Sequence, residues 1–186
     1  MSIKKKTDEL LKINRQILKC SVCLKSAKGL LVPGEGSRSA EIVLVGEAPG
    51  KNEAVTGKPF IGRAGKLLDS LLETIKLDRN DIFITSAVKY LPKTYITPKP
   101  ADIEHGRIHL FAQLEAIQPR VIVLMGNTAA MAVLHEKFSI AKDHGKFIIR
   151  DGLIYFLSYH PAAPLYSPKL REIIIKDFKK LKRYIK

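Results

Sequence analysis

The sequence has no tryptophan, only two cysteines and no apolar run of the roughly 20 residues that a membrane-spanning helix needs. Two cysteines exclude a small fold held by several disulfides, and 12 glycines in 186 residues exclude a collagen-like repeat. Residues 1–12 are charged and lack the apolar segment of a secretory leader. We therefore expect a cytoplasmic protein with no membrane partner.

Hydrophobic residues make up 46% of the chain, which is too many for a disordered protein and enough for a substantial core. No repeat, low-complexity segment or linker divides the sequence. At roughly 100 to 200 residues per domain, the length predicts one domain over residues 1–186.

Acidic residues are scarce, with 18 Asp and Glu against 32 Lys and Arg, and the net charge is +14. The first 28 residues hold eight basic and two acidic side chains, and residues 167–186 hold the same numbers. The two ends thus carry +12 of the net charge. A field of this size favours a polyanion, most simply nucleic acid. The alternative is a pair of solvated helix faces.

Apolar periodicity predicts helices alternating with strands. The predicted elements are an amphipathic helix over residues 3–18, a strand at 42–45, a helix at 67–75, a strand at 81–88, a proline-rich loop at 92–100, a helix at 103–117, a strand at 121–125, a helix from Thr128 capped by Asn127, a hairpin around Asp151 and Gly152, and a basic helix from about Pro168. This order predicts an α/β fold, a three-layer α/β/α sandwich with a central, mainly parallel four-stranded sheet.

Four loops leave apolar strands at their carboxyl ends, where ligands bind in such folds. They lie at residues 46–50, 86–87, 126–127 and 160–161. The first is not G-x-G-x-x-G, and the Gly57-Lys58-Pro59 segment lacks the Ser or Thr of a phosphate-binding loop, so a nucleotide site is weakly supported.

A longer string of motifs is far more specific. It comprises VGEAPG at residues 45–50, Glu53, GKPFIGRAG at 57–65, ITSAVK at 84–89, TPKP at 97–100, QPRVIV at 118–123, GNTAA at 126–130 and YHPAA at 159–163. This string resembles the signature of the family 4 uracil-DNA glycosylases, and the resemblance runs from Cys20 to the last helix.

The resemblance implies catalytic roles for three residues. Glu47 lines the pyrimidine edge, Glu53 lies near the sugar and helps to hold the attacking water or the developing positive charge, and His160 donates a hydrogen bond to uracil O2. A neutral imidazole suits that task, because bond cleavage leaves a negative charge on uracil. Taken alone, Glu53 would be interpreted as a solvated carboxylate at a helix start, and His160 as part of an ordinary loop.

The resemblance also implies a base-binding set of Gly46, Ala48, Phe60 and Ser86. Phe60 stacks on the flipped-out uracil, since an aromatic face offsets part of the lost base stacking. Taken alone, a Phe after Pro is more often a core residue. Ser86 is a departure, because many family members have Asn there, whose carboxamide pairs with uracil O4 and N3–H together. A single hydroxyl cannot, which leaves a wider range of deaminated bases open.

The segment from His160 to Pro168 is stiff and carries one apolar pair, Leu165 and Tyr166. Such a pair can enter the duplex as a wedge where the base leaves. We therefore assign DNA contacts to Pro161, Leu165, Tyr166 and Lys169. The alternative is that the pair packs against the last helix.

Family members carry four cysteines that bind a [4Fe–4S] cluster, whereas this chain has only Cys20 and Cys23. In register, the other two positions hold Tyr90 and Gly106, which cannot replace thiolates. We expect no metal and no cofactor, with the two cysteines as remnants of a cluster site; a free dithiol and a metal shared between chains are the alternatives. His105 is adjacent to a lost ligand and is a candidate to replace it.

The remaining histidines have no matching motif and are predicted to be surface or core residues. They are His105, His109, His135 and His144, of which His105 is also the candidate to replace a lost cluster ligand.

The sequence thus predicts a monofunctional DNA glycosylase that excises uracil and leaves an abasic site during base excision repair. Its partner is DNA that contains uracil or another deaminated base, and the chain is expected to act as a monomer. Two alternatives stay open. One is a glycosylase for hypoxanthine or another deaminated base, and the other is a catalytically silent DNA-binding relative.

Overall fold

The computed structural model describes residues 1–93 and 97–185, so that residues 94–96 of the predicted proline-rich loop lie outside the described part. The helices are α1 (Ile3–Lys19), α2 (Ser21–Ser26), α3 (Lys51–Thr56), α4 (Arg63–Thr74), α5 (Pro100–Ile117), α6 (Asn127–Leu134), α7 (Ile140–Asp143), α8 (Ala163–Tyr166) and α9 (Leu170–Lys180), followed by a 3₁₀ turn at Leu181–Tyr184. The strands are β1 (Ala27–Lys28), β2 (Glu35–Gly36), β3 (Ile42–Gly46), β4 (Phe83–Ser86), β5 (Leu91–Pro92), β6 (Val121–Met125), β7 (Phe147–Arg150) and β8 (Leu153–Ser158).

The central sheet has the strand order β2-β4-β3-β6-β8-β7. The four inner strands are parallel, as predicted, and β2 and β7 are antiparallel edge strands. The expected four-stranded sheet was therefore too small. It omitted β7, although the hairpin was foreseen, and β2, whose two residues carry no apolar alternation. Asp151 and Gly152 both have positive φ (51° and 77°), which suits the predicted two-residue turn.

Helices cover both faces of this sheet, so the fold has three layers, with the sheet in the middle. Along β3, Val43 and Val45 face a core cluster with residues of α1, α5 and α6, whereas Ile42 and Leu44 face a second cluster with residues of α4 and α9. Because both faces are covered, all five residues of β3 are buried, and the strand is an apolar run rather than an alternating pattern.

Three local predictions were wrong in detail. Helix α6 begins at Asn127 with Gly126 as its N-cap, and the Asn127 side chain instead accepts a hydrogen bond from the Ile140 amide at 2.9 Å. The strand predicted at residues 81–88 extends only over Phe83–Ser86, since Ala87 and Val88 leave the ladder to support the neighbouring loop.

The third concerns the apolar face of α1, which is narrower than predicted. Leu10, Ile13 and Ile17 are buried, whereas Ile3, Leu11 and Leu18 are exposed, because only one stripe of the helix packs on α5.

The two basic ends of the chain both reach the amino edge of the sheet. Lys6 Nζ donates to the Ile117 carbonyl at the end of α5, and Cys20 Sγ lies 3.0 Å from His105 Nε2 near its start, so α1 and α5 are antiparallel. The first lysines therefore lie at the amino edge of the sheet. Tyr184 also lies at that edge, with the Arg120 guanidinium 5.8 Å from its ring centroid. No described helix is both long and apolar enough to cross a membrane.

Candidate active site

The candidate site forms at the carboxyl edge of the parallel strands, where Gly46 of β3 pairs with Ser86 of β4. Beyond these residues the Ala87 amide donates to the Gly46 carbonyl at 2.9 Å, and the Val88 amide donates to the Glu47 carbonyl at 3.2 Å. The loop that begins at Gly46 is thereby held against the end of β4.

Gly46, Phe60 and His160 come from three separate segments and meet at this edge. The Phe60 and His160 ring centroids are 5.6 Å apart with an interplanar angle of 30°. A Cβ on residue 46 would lie 2.7 Å from Phe60 Cζ and 3.7 Å from His160 Nε2. The absence of a side chain at Gly46 therefore makes room for the aromatic ring.

The state of the His160 imidazole follows from its surroundings. The Ala162 amide donates to His160 Nδ1 at 3.1 Å, so Nδ1 is an acceptor and the proton of the neutral ring resides on Nε2. Burial lowers the pKa of His160 to about 4, although the nearby Glu53 carboxylate acts in the opposite direction. At neutral pH the ring is therefore an uncharged Nε2–H donor.

The segment that carries Phe60 has a strained backbone held from two sides. Phe60 has φ of 51°, in the left-handed region. The Arg79 guanidinium donates to the Pro59 carbonyl at 2.6 Å and to the Phe60 carbonyl at 3.2 Å, and it also pairs with Asp69 at 2.7 Å. On the other side, the amides of Ile61 and Gly62 both donate to Glu53 Oε1 at 3.0 Å.

Gly65 permits the closest approach in this segment, because a Cβ there would lie 1.8 Å from the Phe60 carbonyl oxygen. From the sequence, Gly65 was included only as the last residue of the GKPFIGRAG motif, and Arg79 was not included. Arg79 is outside every motif quoted above, and only its contacts with Pro59 and Phe60 reveal a positioning role.

Glu47 is held by a strong hydrogen bond, since Thr128 Oγ1 at the start of α6 donates to Glu47 Oε2 at 2.6 Å. Thr128 is buried, whereas Glu47 and Ala48 are partly exposed. The carboxylate is thus fixed at the edge of the site by a residue that sequence reasoning noted only within a motif.

Ser86 lies at the end of β4, as predicted, but it is buried and its hydroxyl donates to the Val88 carbonyl at 2.8 Å. Behind it lies the fully buried Lys89, whose ammonium donates to Thr85 Oγ1 and to the Ser86 carbonyl, each at 2.6 Å. Burial lowers the pKa of Lys89 to about 7. The position opposite Gly46 is therefore supported by a lysine that the sequence analysis included only as part of the ITSAVK motif.

The predicted DNA-contacting residues form one segment beside His160. Pro161 is buried, whereas Tyr166 on α8 is 86% exposed and Leu165 is 42% exposed. The tyrosine therefore stands out from the surface instead of packing beneath the last helix. Lys169 caps the start of α9 and is exposed.

The residues near Cys20 and Cys23 do not fit a four-cysteine cluster. The Tyr90 hydroxyl is buried without a partner in the described part of the chain, and a Cβ on Gly106 would lie 2.5 Å from the Ala87 carbonyl oxygen. Burial and the adjacent Cys20 raise the pKa of the Cys23 thiol to about 12.

The four histidines without a motif fall into two groups. His135 is exposed and His144 Nδ1 lies 2.6 Å from Asp177, in line with the prediction for them. His105 and His109, by contrast, lie beside the two cysteines.

Comparison with known protein families identifies the superfamily to which this fold belongs. Residues 33–185 match the model of the uracil DNA glycosylase superfamily. The chain belongs to this superfamily, and its mixed α/β architecture with a mostly parallel sheet is the expected one.

Individual relatives narrow the similarity further. A type-4 uracil-DNA glycosylase from Archaeoglobus fulgidus is 43% identical over 178 residues, which are 91% of this chain and 89% of that protein. Those from Sulfurisphaera tokodaii and Saccharolobus solfataricus are each 40% identical, over 94% of this chain and 84% and 86% of their own lengths. Within the superfamily, the chain is thus similar to type-4 enzymes over nearly its full length.

Proposed function

We propose that this chain is a monofunctional DNA glycosylase that hydrolyses the N-glycosidic bond of uracil in DNA and leaves an abasic site. The observation that carries the proposal is the uncharged His160, whose Nε2 would lie 3.7 Å from a Cβ on Gly46 and whose ring lies beside that of Phe60. Its partner is uracil-containing DNA.

The leaving group is stabilised by donors at the carboxyl edge of the sheet. When the bond between C1′ and the base nitrogen breaks, the electron pair stays on the base and gives a uracil anion. His160 Nε2–H donates to uracil O2, and the backbone of Gly46 and Ala48 lines the pyrimidine. Donors placed in advance where the charge develops are typically among the largest contributions to catalysis.

The base reaches this site only by leaving the duplex. Phe60 then stacks on the extruded ring and offsets part of the stacking free energy lost from the DNA. The contacts of Arg79, Glu53 and Gly65 around Phe60 fix the height of this aromatic surface above Gly46.

Two carboxylates serve the sugar side of the reaction. Glu47, which the resemblance placed at the pyrimidine edge, is here assigned to the attacking water, because Thr128 fixes one of its carboxylate oxygens. Glu53 then faces the positive charge that develops on the sugar. The water oxygen bonds to C1′ and one of its protons passes, through solvent, to the uracil anion, so the products are an abasic site and neutral uracil. Without a covalent enzyme intermediate, no strand cleavage follows.

The DNA itself is engaged by the segment after His160. Pro161 stiffens the segment, the exposed Leu165 and Tyr166 enter the space that the base vacates, and Lys169 pairs with a phosphate. The cost of unstacking is thereby shared between the wedge and the aromatic surface.

One observation favours a wider substrate range as a second candidate function. The single hydroxyl proton of Ser86 is donated to the Val88 carbonyl, so this residue does not supply the paired donor and acceptor that would select uracil alone. Hypoxanthine and xanthine are the bases to compare.

The test uses end-labelled duplexes with a single uracil, hypoxanthine or xanthine, incubated with excess enzyme and then treated with alkali. We expect cleavage at uracil only after alkali, which identifies an abasic product. A His160→Ala variant should bind the same duplex but excise at least about a hundredfold more slowly. Binding without excision by the parent protein would identify a silent relative and refute the proposal.

A further inference from the structure

Two cysteines and two histidines that are distant in sequence meet between α2 and α5. Cys20 and Cys23 flank the start of α2, and His105 and His109 lie one turn apart on α5. One potential ligand atom from each residue lies within 4.8 Å of the corresponding atom of every other. The spacings C-x₂-C and H-x₃-H are those of structural zinc sites.

Among these four residues, one buried polar atom has no protein partner in the described part of the chain. His109 Nε2 is buried and has no hydrogen-bond partner in the described part of the chain, whereas His105 Nε2 lies 3.0 Å from Cys20 Sγ. A buried nitrogen without a partner is costly, and a metal ion would remove that cost.

Apolar packing holds α2 weakly. None of its six residues is fully buried, although the partly buried Cys23 packs against the core and the Lys93 amide donates to the Ser26 carbonyl at 3.1 Å. The helix nevertheless lies against α5, with which it makes repeated contacts. A bond network through a metal ion would hold α2 more firmly than this packing does.

We propose that Cys20, Cys23, His105 and His109 bind a single zinc ion in tetrahedral geometry. Zinc bonds of about 2.3 Å to sulfur and about 2.0 to 2.1 Å to nitrogen place the ligand atoms about 3.3 to 3.8 Å apart, so only a small contraction is needed. Two thiolates neutralise the Zn²⁺ charge, which suits a partly buried site.

A [4Fe–4S] cluster requires a different arrangement. Each of its four ligands binds a different iron, so the ligand atoms lie farther apart than around one ion, and thiolates are its usual ligands. A mixed set of two sulfur and two nitrogen ligands around one centre instead favours zinc. The site is separate from the candidate active site, and its role is to fasten α2 to α5.

The test begins with the metal content of the full chain, expressed in medium supplemented with zinc and iron. We expect one zinc per chain, no acid-labile sulfide and a colourless protein. Replacement of zinc by Co²⁺ should give the visible absorbance of a tetrahedral cobalt site with thiolate ligands. Addition of a strong chelator should lower Tm.

Variants separate the four ligands from general effects. Cys23→Ser and His105→Asn should each lose most of the bound zinc and the cobalt absorbance. His135→Asn is the matched control, because His135 is exposed and its left-handed φ of 58° is tolerated by asparagine. This control should keep one zinc per chain.

The parent protein alone can overturn the proposal, even if a variant fails to fold. Brown protein with about four irons and matching sulfide per chain would establish a cluster instead. Protein with neither metal, or with Cys20 and Cys23 joined in a disulfide, would equally exclude the zinc site.

Discussion

Gly65, in the first turn of α4, is the position where one added methyl group should disturb the candidate active site most. In Gly65→Ala the new Cβ would lie 1.8 Å from the Phe60 carbonyl oxygen and 2.2 Å from its carbonyl carbon. Both neighbours are backbone atoms, so no side-chain rotation relieves the contact. The segment around Phe60 must therefore move.

The expected loss can be worked from this distance. Contacts of a Cβ below 3.0 Å are essentially never seen, so Phe60 has to move by roughly 1 Å or more, and a displacement of that size costs about a hundredfold in rate. The movement also stretches the hydrogen bonds from Arg79 to Pro59 and Phe60. The better helix propensity of alanine, worth about 1 kcal/mol, partly offsets the strain in overall stability.

The assay is single-turnover excision of uracil from a duplex, with binding to undamaged DNA measured in parallel. We expect the excision rate of Gly65→Ala to fall about a hundredfold while binding stays within about twofold. Gly152→Ala is the control, because nothing lies within 4 Å of its new Cβ and its φ of +77° adds only local strain in the β7–β8 turn. Excision by Gly65→Ala at the parent rate would refute the argument that Gly65 sets the position of Phe60.

Three further predictions concern protonation, charge and the base contact. Because the pKa of folded His160 is about 4, below its usual value of 6.5, the excision rate should stay level from about pH 8 to pH 5. Folding stability should decrease as pH falls from about 6.5 toward 4, since the unfolded chain binds the proton first. Lys169→Ala should reduce the salt dependence of binding to undamaged DNA by about one unit of slope, whereas Lys182→Ala, in the 3₁₀ turn that follows the far end of α9, should not. Ser86→Asn should raise the preference for uracil over hypoxanthine about ten- to a hundredfold in relative single-turnover rates.

Each of these predictions has an outcome that contradicts it. A rate that is halved near pH 6.5 would mean that His160 has an ordinary pKa. Equal slopes for the two lysine variants would mean that the start of α9 does not face the phosphates. An unchanged preference in Ser86→Asn, with both rates intact, would mean that position 86 does not contact the base.

Much of the fold follows from local patterns that tertiary contacts do not override. Buried parallel strands are continuous apolar runs, so β3 and β6 were recognisable as strands, and the turn at Asp151 and Gly152 needed only residues that tolerate positive φ. The error at Asn127 arose because its side chain had a distant partner, the Ile140 amide, which competes with the capping role.

The amino-acid sequence by itself predicted that Gly46 and His160 lie at one edge of the sheet, because the carboxyl ends of parallel strands meet there, and the family resemblance added Phe60 to this set. Only the tertiary structure decided how the three residues are arranged. The proton on His160 Nε2, the brace from Arg79 and the meeting of Cys23 with His109 depend on backbone paths through long loops and between distant helices. Local periodicity carries no information about such paths, since they are set by packing between segments far apart in the chain.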